Sequence, residues 1–150
     1  MDVALTPITR RDLDLCVQFM HGLYENDDVP PDETAWAAAL AGLLEADRLG
    51  RGWMIHLDGQ PVGYVVVTFG YSLEFYGRDA FVDELFIASQ VRGQGIGRAV
   101  MQQVEALLGS TGIQALHLEV EEGNQAAQRL YESQGFTYRR HMHIMSKRMA

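Results

Sequence analysis

The stretch Asp83–Arg98 reads DELFIASQVRGQGIGR, and it decides the fold. Residues 80–88 form a mostly apolar run that predicts a buried central strand, and three alternating glycines follow within Gly93–Gly97. Apolar residues recur at helical spacing from Ile96, which predicts a helix directly after the glycines. Glycines let the backbone turn sharply and approach a ligand. Because a helix N-terminus also carries unpaired N–H groups and positive dipole charge, the stretch predicts a pyrophosphate site.

Two familiar phosphate-binding loops fit this stretch poorly. A P-loop has Gly-Lys followed by Ser or Thr at the helix start, whereas here Gly97 precedes Arg98 and Ala99. A dinucleotide-binding fingerprint reads G-x-G-x-x-G after the first strand of a parallel sheet, whereas this chain has G-x-G-x-G late in its length. A helix entry without a ligand is the alternative, although three glycines weaken a helix start unless something requires them.

Hydrophobic periodicity and turn residues predict the other elements. Further strands are expected at residues 3–8, 52–57, 62–71, 115–120, 136–141 and 143–147, and further helices at residues 13–24, 33–46 and 124–134. The Asp58-Gly59 pair predicts a tight hairpin. In the helix after the glycines, Ile96, Val100, Val104 and Leu107 are expected on the inner face. This order predicts an α/β fold in which helices cover a mixed sheet, within a single domain spanning residues 1–150.

Composition and charge limit the function. The formal net charge is −8, which argues against a nucleic-acid partner and favours a cationic small molecule, although a merely solvated acidic surface is the alternative. No apolar run approaches the roughly 20 residues needed to span a membrane, and no signal peptide is evident, so a cytoplasmic protein is expected. The lone Cys16 is expected to be a buried thiol. The five histidines are scattered, so no metal site is predicted.

Two motifs resemble those of one family. The pattern RxxGxG at residues 92–97, after an acidic and apolar strand, resembles the acetyl-CoA signature of the GNAT family of N-acetyltransferases. The pattern NxxAxxLYxxxGF at residues 124–136 is similar to the family's second motif, and the resemblance covers residues 80–140. It implies a GNAT-type mixed, mostly antiparallel sheet of six to seven strands, flanked by about four helices, with central strands splayed for acetyl-CoA.

The resemblance also implies how the cosubstrate acetyl-CoA is bound. Backbone groups of the central strand would bond the pantetheine arm, and backbone N–H groups of the glycine turn would bind the pyrophosphate. Asn124 either contacts the coenzyme or only caps its helix, and both roles are open. The implied coenzyme-binding residues are Leu85, Phe86, Ile87, Arg92, Gly93, Gln94, Gly95, Ile96, Gly97, Arg98, Asn124 and Ala127.

The chemistry implied is direct attack of an amine on the thioester. An alkylammonium, with a pKa near 10, must first lose a proton. Strand alternation sends Asp83 and Glu84 to opposite faces, so one of them could face the acceptor. Asp83 is the preferred base, because family members similar to diamine acetyltransferases carry an acidic residue at its position, and Glu84 is the second choice; ordinary ion pairing is the alternative. The backbone N–H of Leu85 or Phe86 would stabilise the oxyanion. Tyr131 matches the family's usual acid for the departing thiolate, and a core aromatic is its alternative.

The acceptor site in such folds lies between the loop after the first helix and the loop before the central strand. Both loops combine carboxylates with aromatic rings, a combination that suits an ammonium group, although solvated acidic loops are the alternative. The acceptor-binding residues predicted here are Tyr24, Glu25, Asp28, Tyr71 and Glu74. We expect a small cationic amine such as a polyamine, an amino sugar or an amino acid derivative, and a homodimer. A catalytically silent CoA-binding module is the alternative function.

Overall fold

The computed structural model describes residues 1–139 and 141–150 and divides into two compact units, Met1–Glu119 and Val120–Ala150. The first unit contains β1 (Val3–Pro7), α1 (Leu13–Tyr24), α2 (Glu33–Leu44), β2 (Gly50–Leu57), β3 (Gln60–Ser72), β4 (Gly77–Ile87), α3 (Ile96–Gly109) and β5 (Ala115–Leu118). The second unit contains α4 (Gln125–Ser133). Among the described residues, no helix is both long and apolar enough to cross a bilayer.

The first unit is built on one five-stranded sheet with the order β1-β2-β3-β4-β5. Neighbouring strands are antiparallel except for β4 and β5, which are parallel. Asp58 and Gly59, with φ angles of 49° and 84°, close the β2–β3 turn as predicted, because this turn needs positive φ at both positions. The predicted mixed, mostly antiparallel α/β fold is confirmed.

The predicted number of strands is wrong. Six to seven were expected, and the described part of the chain contains five. Residues 136–139 and 141–147 form no strand, while Arg140, inside the predicted segment 136–141, lies outside the described residues. Apolar residues of this segment, such as Met142 and Ile144, are exposed. A pair of strands that has no buried face and no further partner strands is only marginally stable in water, which explains why these described residues form no strand.

An apolar cluster joins α1 and α2 to one face of the sheet. It consists of Ile8, Cys16, Met20, Leu40, Met54, Tyr64 and Val66, with Phe86 packed against it. Cys16 is fully buried, and burial raises the pKa of its thiol to about 12, with Asp12 and Glu84 adding to the increase. The expected buried thiol is therefore confirmed, and its raised pKa disfavours the reactive thiolate form.

Helix α3 buries one face and contacts β1. Its buried residues are Ile96, Val100, Met101, Val104 and Leu108. The prediction for Leu107 is wrong, since this side chain is 43% exposed. Residues four apart lie on the same face of a helix, so Leu108 rather than Leu107 shares the buried face of Val104. Gln103 anchors the helix by donating from Nε2 to the Val3 carbonyl oxygen at 2.8 Å.

Candidate active site

Strands β4 and β5 separate halfway along β4. Their last paired residues are Val82 and Leu118, yet β4 continues to Ile87. Residues 84–87 pair with β3 alone, so within the described residues this part of β4 has no partner strand on the β5 side. A strand edge of this kind presents N–H and C=O groups to a ligand. The separation is the splayed geometry that the sequence motif implied.

The glycine turn lies between the end of β4 and the start of α3. Gly93 and Gly95 have φ angles of 80° and 82°, in the left-handed region that favours glycine, and Gly95 is the N-cap of α3. A Cβ added at either glycine would meet no heavy atom within 4 Å, so the space beside both is open. The first helical hydrogen bond runs from the Ala99 N–H to the Gly95 oxygen at 3.1 Å. The turn therefore offers room and a helix N-terminus to an anion.

The side chain of Arg92 fastens this turn to the end of β4. Its Nε donates to the Ile87 carbonyl oxygen at 2.7 Å, and its guanidinium carbon lies 5.5 Å from the centroid of the Phe86 ring. The guanidinium thus makes a hydrogen bond and a cation–π contact with residues of β4. Arg92 was predicted to bind the coenzyme, and the geometry shows it holding the shape of the turn.

A β-bulge separates the two candidate bases. Val67 of β3 pairs with Val82 and Val66 pairs with Glu84, which leaves Asp83 as an extra residue in β4. Strand alternation had placed Asp83 and Glu84 on opposite faces, but a bulge interrupts alternation at the extra residue. After the bulge, Glu84 shares its face with Val66, which belongs to the cluster under α1 and α2.

The carboxyl of Glu84 is half-buried and hydrogen-bonded. The Tyr64 hydroxyl donates to Glu84 Oε1 at 2.7 Å, and burial raises the pKa of Glu84 from 4.5 to about 7. A carboxyl that titrates near neutral pH suits general-base catalysis. Asp83 is exposed as a residue, and partial burial of its carboxyl raises its pKa as well. The contact of Tyr64 with Glu84 was not predicted, because a tyrosine in an apolar strand resembles an ordinary core residue.

A cleft of about 270 Å³ lies between the end of α1, the following loop and α2. It is lined by His21, Tyr24, Glu25, Asp27, Val29, Pro31 and Trp36. The rings of Tyr24 and Trp36 are 5.3 Å apart, and His21 Nε2 lies 2.6 Å from Glu33 Oε1. A Cβ added at Gly22 of α1 would lie 2.7 Å from Phe86 Cζ, so α1 touches β4 at Phe86.

The predicted acceptor residues fall into two groups. Tyr24 and Glu25 line the cleft, and Asp28 follows in the same loop without lining it. Tyr71 and Glu74 belong to the β3–β4 hairpin, where Tyr71 is 72% exposed, and neither lines the cleft. Trp36 also lines the cleft, although it belongs to no motif of the sequence and was not among the predicted acceptor residues. Its aromatic neighbours His21 and Tyr24 become visible only when α1 and α2 are packed together.

The second unit carries the second motif on α4. Asn124 is the N-cap, and its Oδ1 accepts a hydrogen bond from the Ala127 N–H at 3.1 Å. The capping role is therefore realised, while coenzyme contacts of Asn124 and Ala127 stay predictions. Tyr131 is half-buried and meets Phe136 edge to face, with ring centroids 5.8 Å apart. Burial raises the pKa of the Tyr131 phenol, so it stays protonated at neutral pH.

These features define an α/β protein with a split sheet, a glycine turn at a helix N-terminus and an ionisable carboxyl on the split strand. No cluster of three or more potential metal ligands occurs among residues 1–139 and 141–150. Residues 17–136 match the model described as the Acetyltransferase (GNAT) family, and the chain belongs to that family. Members of the family use acetyl-CoA as cosubstrate.

Individual proteins resemble the chain in sequence and in fold. Thialysine N-epsilon-acetyltransferase of Bos taurus is 32% identical over 106 residues, which cover 61% of this chain and 61% of that enzyme. An integron cassette protein from the Cole Harbour salt marsh metagenome has a TM-score of 0.83 and 29% identity, over 97% of this chain and 90% of that one. A predicted acetyltransferase from Clostridium acetobutylicum, solved with acetyl-CoA, has a TM-score of 0.78 and 13% identity, over 97% and 96% of the two chains.

Proposed function

We propose that the protein transfers the acetyl group of acetyl-CoA to the amine of a small cationic acceptor. The observation that carries the proposal is that β4 continues beyond Val82 without pairing to β5 and leads into the open glycine turn before α3. The chain covers 61% of the length of the thialysine acetyltransferase that it resembles. The name of that relative specifies an ε-amine as the acetylated group, which agrees with an amine acceptor.

The coenzyme binds along the split strand. The pantetheine arm takes the place of a partner strand beside Leu85, Phe86 and Ile87, where β4 has lost β5. The pyrophosphate sits at the glycine turn, where N–H groups at the start of α3 and the helix dipole favour negative charge. Gln94, Gly97 and Arg98 contribute through backbone N–H groups, as the motif implies.

Glu84 is the proposed proton acceptor. The neutral amine attacks the thioester carbon, a C–N bond forms, and the proton released from nitrogen passes to Glu84 directly or through one water. Its half-buried position and its pKa of about 7 make it the better candidate over the exposed Asp83. The backbone N–H of Leu85 or Phe86 stabilises the charge that develops on the carbonyl oxygen.

Tyr131 is the proposed proton donor. When the C–S bond breaks, the coenzyme leaves as a thiolate, and the phenol of Tyr131 supplies the proton that forms the free thiol. The raised pKa of this phenol keeps it protonated at neutral pH, which a donor requires. Its place in the motif, seven residues after Asn124, supports the role.

The cleft at the end of α1 is the proposed acceptor site. Glu25 and Asp27 supply negative charge, and the paired rings of Tyr24 and Trp36 offer faces for a cation–π contact. The volume of about 270 Å³ lies just below the roughly 300–1,000 Å³ of typical ligand pockets, so the cleft has room only for a small acceptor or for part of one. The net charge of −8 attracts cations at longer range.

An amine panel tests the proposal. Polyamines, aminoglycosides, lysine-like amino acids and neutral or anionic amines are each incubated with acetyl-CoA, and release of CoA thiol is followed. Cationic amines are expected to react best. Activity on neutral or anionic acceptors alone would refute the cationic acceptor. Binding of acetyl-CoA without acetylation of any amine would instead indicate the silent CoA-binding module.

A pair of variants separates the two predicted acceptor loops. Trp36→Ala removes one wall of the cleft and is expected to raise KM for a cationic amine about tenfold, with little change in KM for acetyl-CoA. Tyr71→Ala is the matched aromatic change on the exposed hairpin and is expected to alter neither value by more than about twofold. The reverse pattern would move the acceptor site to the hairpin. The cytoplasmic location, the homodimer and the single domain stay predictions.

A further inference from the structure

Tyr64 has features that its place in the core does not require. It is fully buried in β3, and its hydroxyl donates to Glu84 Oε1 at 2.7 Å. A buried hydroxyl needs a partner, and the partner here is a carboxyl on the strand that carries the proposed chemistry. Phenylalanine would fill the same space without a polar group, so the phenol invites a functional explanation.

We infer that Tyr64 is a positioning residue that orients the Glu84 carboxylate for proton transfer. The inference rests on the proposed function, because it assigns Glu84 as the base. The hydrogen bond holds Oε1 towards β3, and Oε2 is the oxygen that receives the proton of the amine. Tyr64 touches Glu84 and takes no part in bond making or breaking.

The register of the sheet creates this contact. Phe86 pairs with Tyr64 and Glu84 pairs with Val66, so Tyr64 and Glu84 are diagonal neighbours on one face. The bulge at Asp83 brings Glu84 onto that face, because without the extra residue Glu84 would share the face of Val82. Removing the bulge would therefore take the carboxylate away from the phenol.

The ring of Tyr64 is held in place by α1. It stacks on Phe19, with ring centroids 6.3 Å apart and an angle of 11° between the planes. Phe19 also contacts Phe86, with centroids 5.5 Å apart. Because the ring is packed on both strand and helix, the hydroxyl keeps its direction, and a fixed donor orients a carboxylate better than water does.

Two further titratable groups influence the Tyr64 phenol. Burial raises its pKa above the ordinary value, and Cys16 of α1 and Asp83 of β4 add to the increase. The phenol therefore stays a neutral donor across the working pH range. A hydrogen bond donated to the charged carboxylate favours that form and opposes the effect of burial on the pKa of Glu84.

Tyr64→Phe tests the inference because it removes the donor and preserves the ring. The acidic limb of the kcat/KM profile for an amine substrate is expected near pH 7 in the wild type and about one pH unit higher in the variant. At pH 7 the fraction of ionised Glu84 would then fall about fivefold, while at pH 9 the two proteins would differ little. A merely structural loss would lower the rate at every pH.

Leu40→Ala is the packing control. It removes buried volume from the same apolar cluster but keeps the phenol and its stack on Phe19, so it is expected to lower Tm without moving the acidic limb. An unchanged limb in Tyr64→Phe, with wild type active, overturns the inference and leaves the proposed function standing. A wild type inactive on every amine overturns both. NMR titration of the labelled Glu84 carboxyl in each protein reports the same displacement without turnover, so reduced activity of the variant does not hide the result.

Discussion

Replacing Glu84 by glutamine is expected to stabilise the protein at and above neutral pH while it abolishes the proposed base. Burial raises the pKa of Glu84 from 4.5 to about 7, so the folded state binds this proton more tightly than the unfolded state does. The wild type therefore loses stability as pH rises from 4.5 to 7, and the loss is complete above pH 7. Glutamine has nearly the same shape and carries no proton to lose.

The size of the effect follows from the two pKa values. Each unit between the folded and unfolded pKa corresponds to about 1.4 kcal/mol, so the displacement from 4.5 to about 7 corresponds to about 3 kcal/mol. Water reaches the half-buried carboxyl and screens part of this energy, which reduces the expected gain to about 2 kcal/mol at pH 8. For a chain of this size, that is about 4–8 °C in Tm.

Chemical denaturation of wild type and Glu84→Gln at pH 5, 6, 7 and 8 measures the difference. The two free energies of unfolding are expected to lie close together at pH 5 and to diverge as pH rises. Glu105→Gln, at an exposed position of α3, is the control for removing one negative charge and is expected to follow the wild type. Parallel curves for wild type and Glu84→Gln would refute the reasoning that burial controls the protonation of this group.

Three further variants address the coenzyme turn and α4. Tyr131→Phe is expected to lower kcat roughly a hundredfold while calorimetry shows nearly unchanged acetyl-CoA affinity, and wild-type turnover would remove its role as the acid. Gly95→Ala is expected to cost about 1 kcal/mol of stability and to weaken acetyl-CoA binding, because φ is 82° there. Gly59→Ala, at φ 84° in the β2–β3 turn, is the control that should lose similar stability but keep affinity. Asn124→Ala is expected to cost about 1 kcal/mol through loss of the α4 cap, and unchanged denaturation curves would contradict this.

Local patterns predicted much of the fold. Helix α1 was expected at residues 13–24 and is found at Leu13–Tyr24. The interactions that favour it are local: its apolar residues recur within the segment, and the Thr9 N–H donates to Asp12 Oδ2 at 2.9 Å just before it. The β2–β3 hairpin followed from Asp58-Gly59 for the same reason. The strands predicted after residue 135 failed because a strand depends on a partner that lies elsewhere in the chain.

The candidate site was predicted less completely. The splayed strand and the glycine turn were expected from a motif of adjacent residues, and the geometry agrees. The bulge at Asp83 was not expected, because one extra residue in a ladder is visible only once β3 and β4 are aligned. The contact of Trp36 with His21, at 5.1 Å between ring centroids, likewise needs two packed helices.

The sequence by itself determined where the backbone turns and where α3 begins, because glycine conformations and helix starts depend on neighbouring residues. Only the tertiary structure decided which of the two carboxyls has a pKa near neutrality. The pKa of Glu84 depends on burial in the packed sheet, and its carboxyl accepts a hydrogen bond from a phenol twenty residues away in β3. The loss of hydration that raises the pKa of a carboxyl depends on how the site is packed, so no pattern of neighbouring residues predicts it.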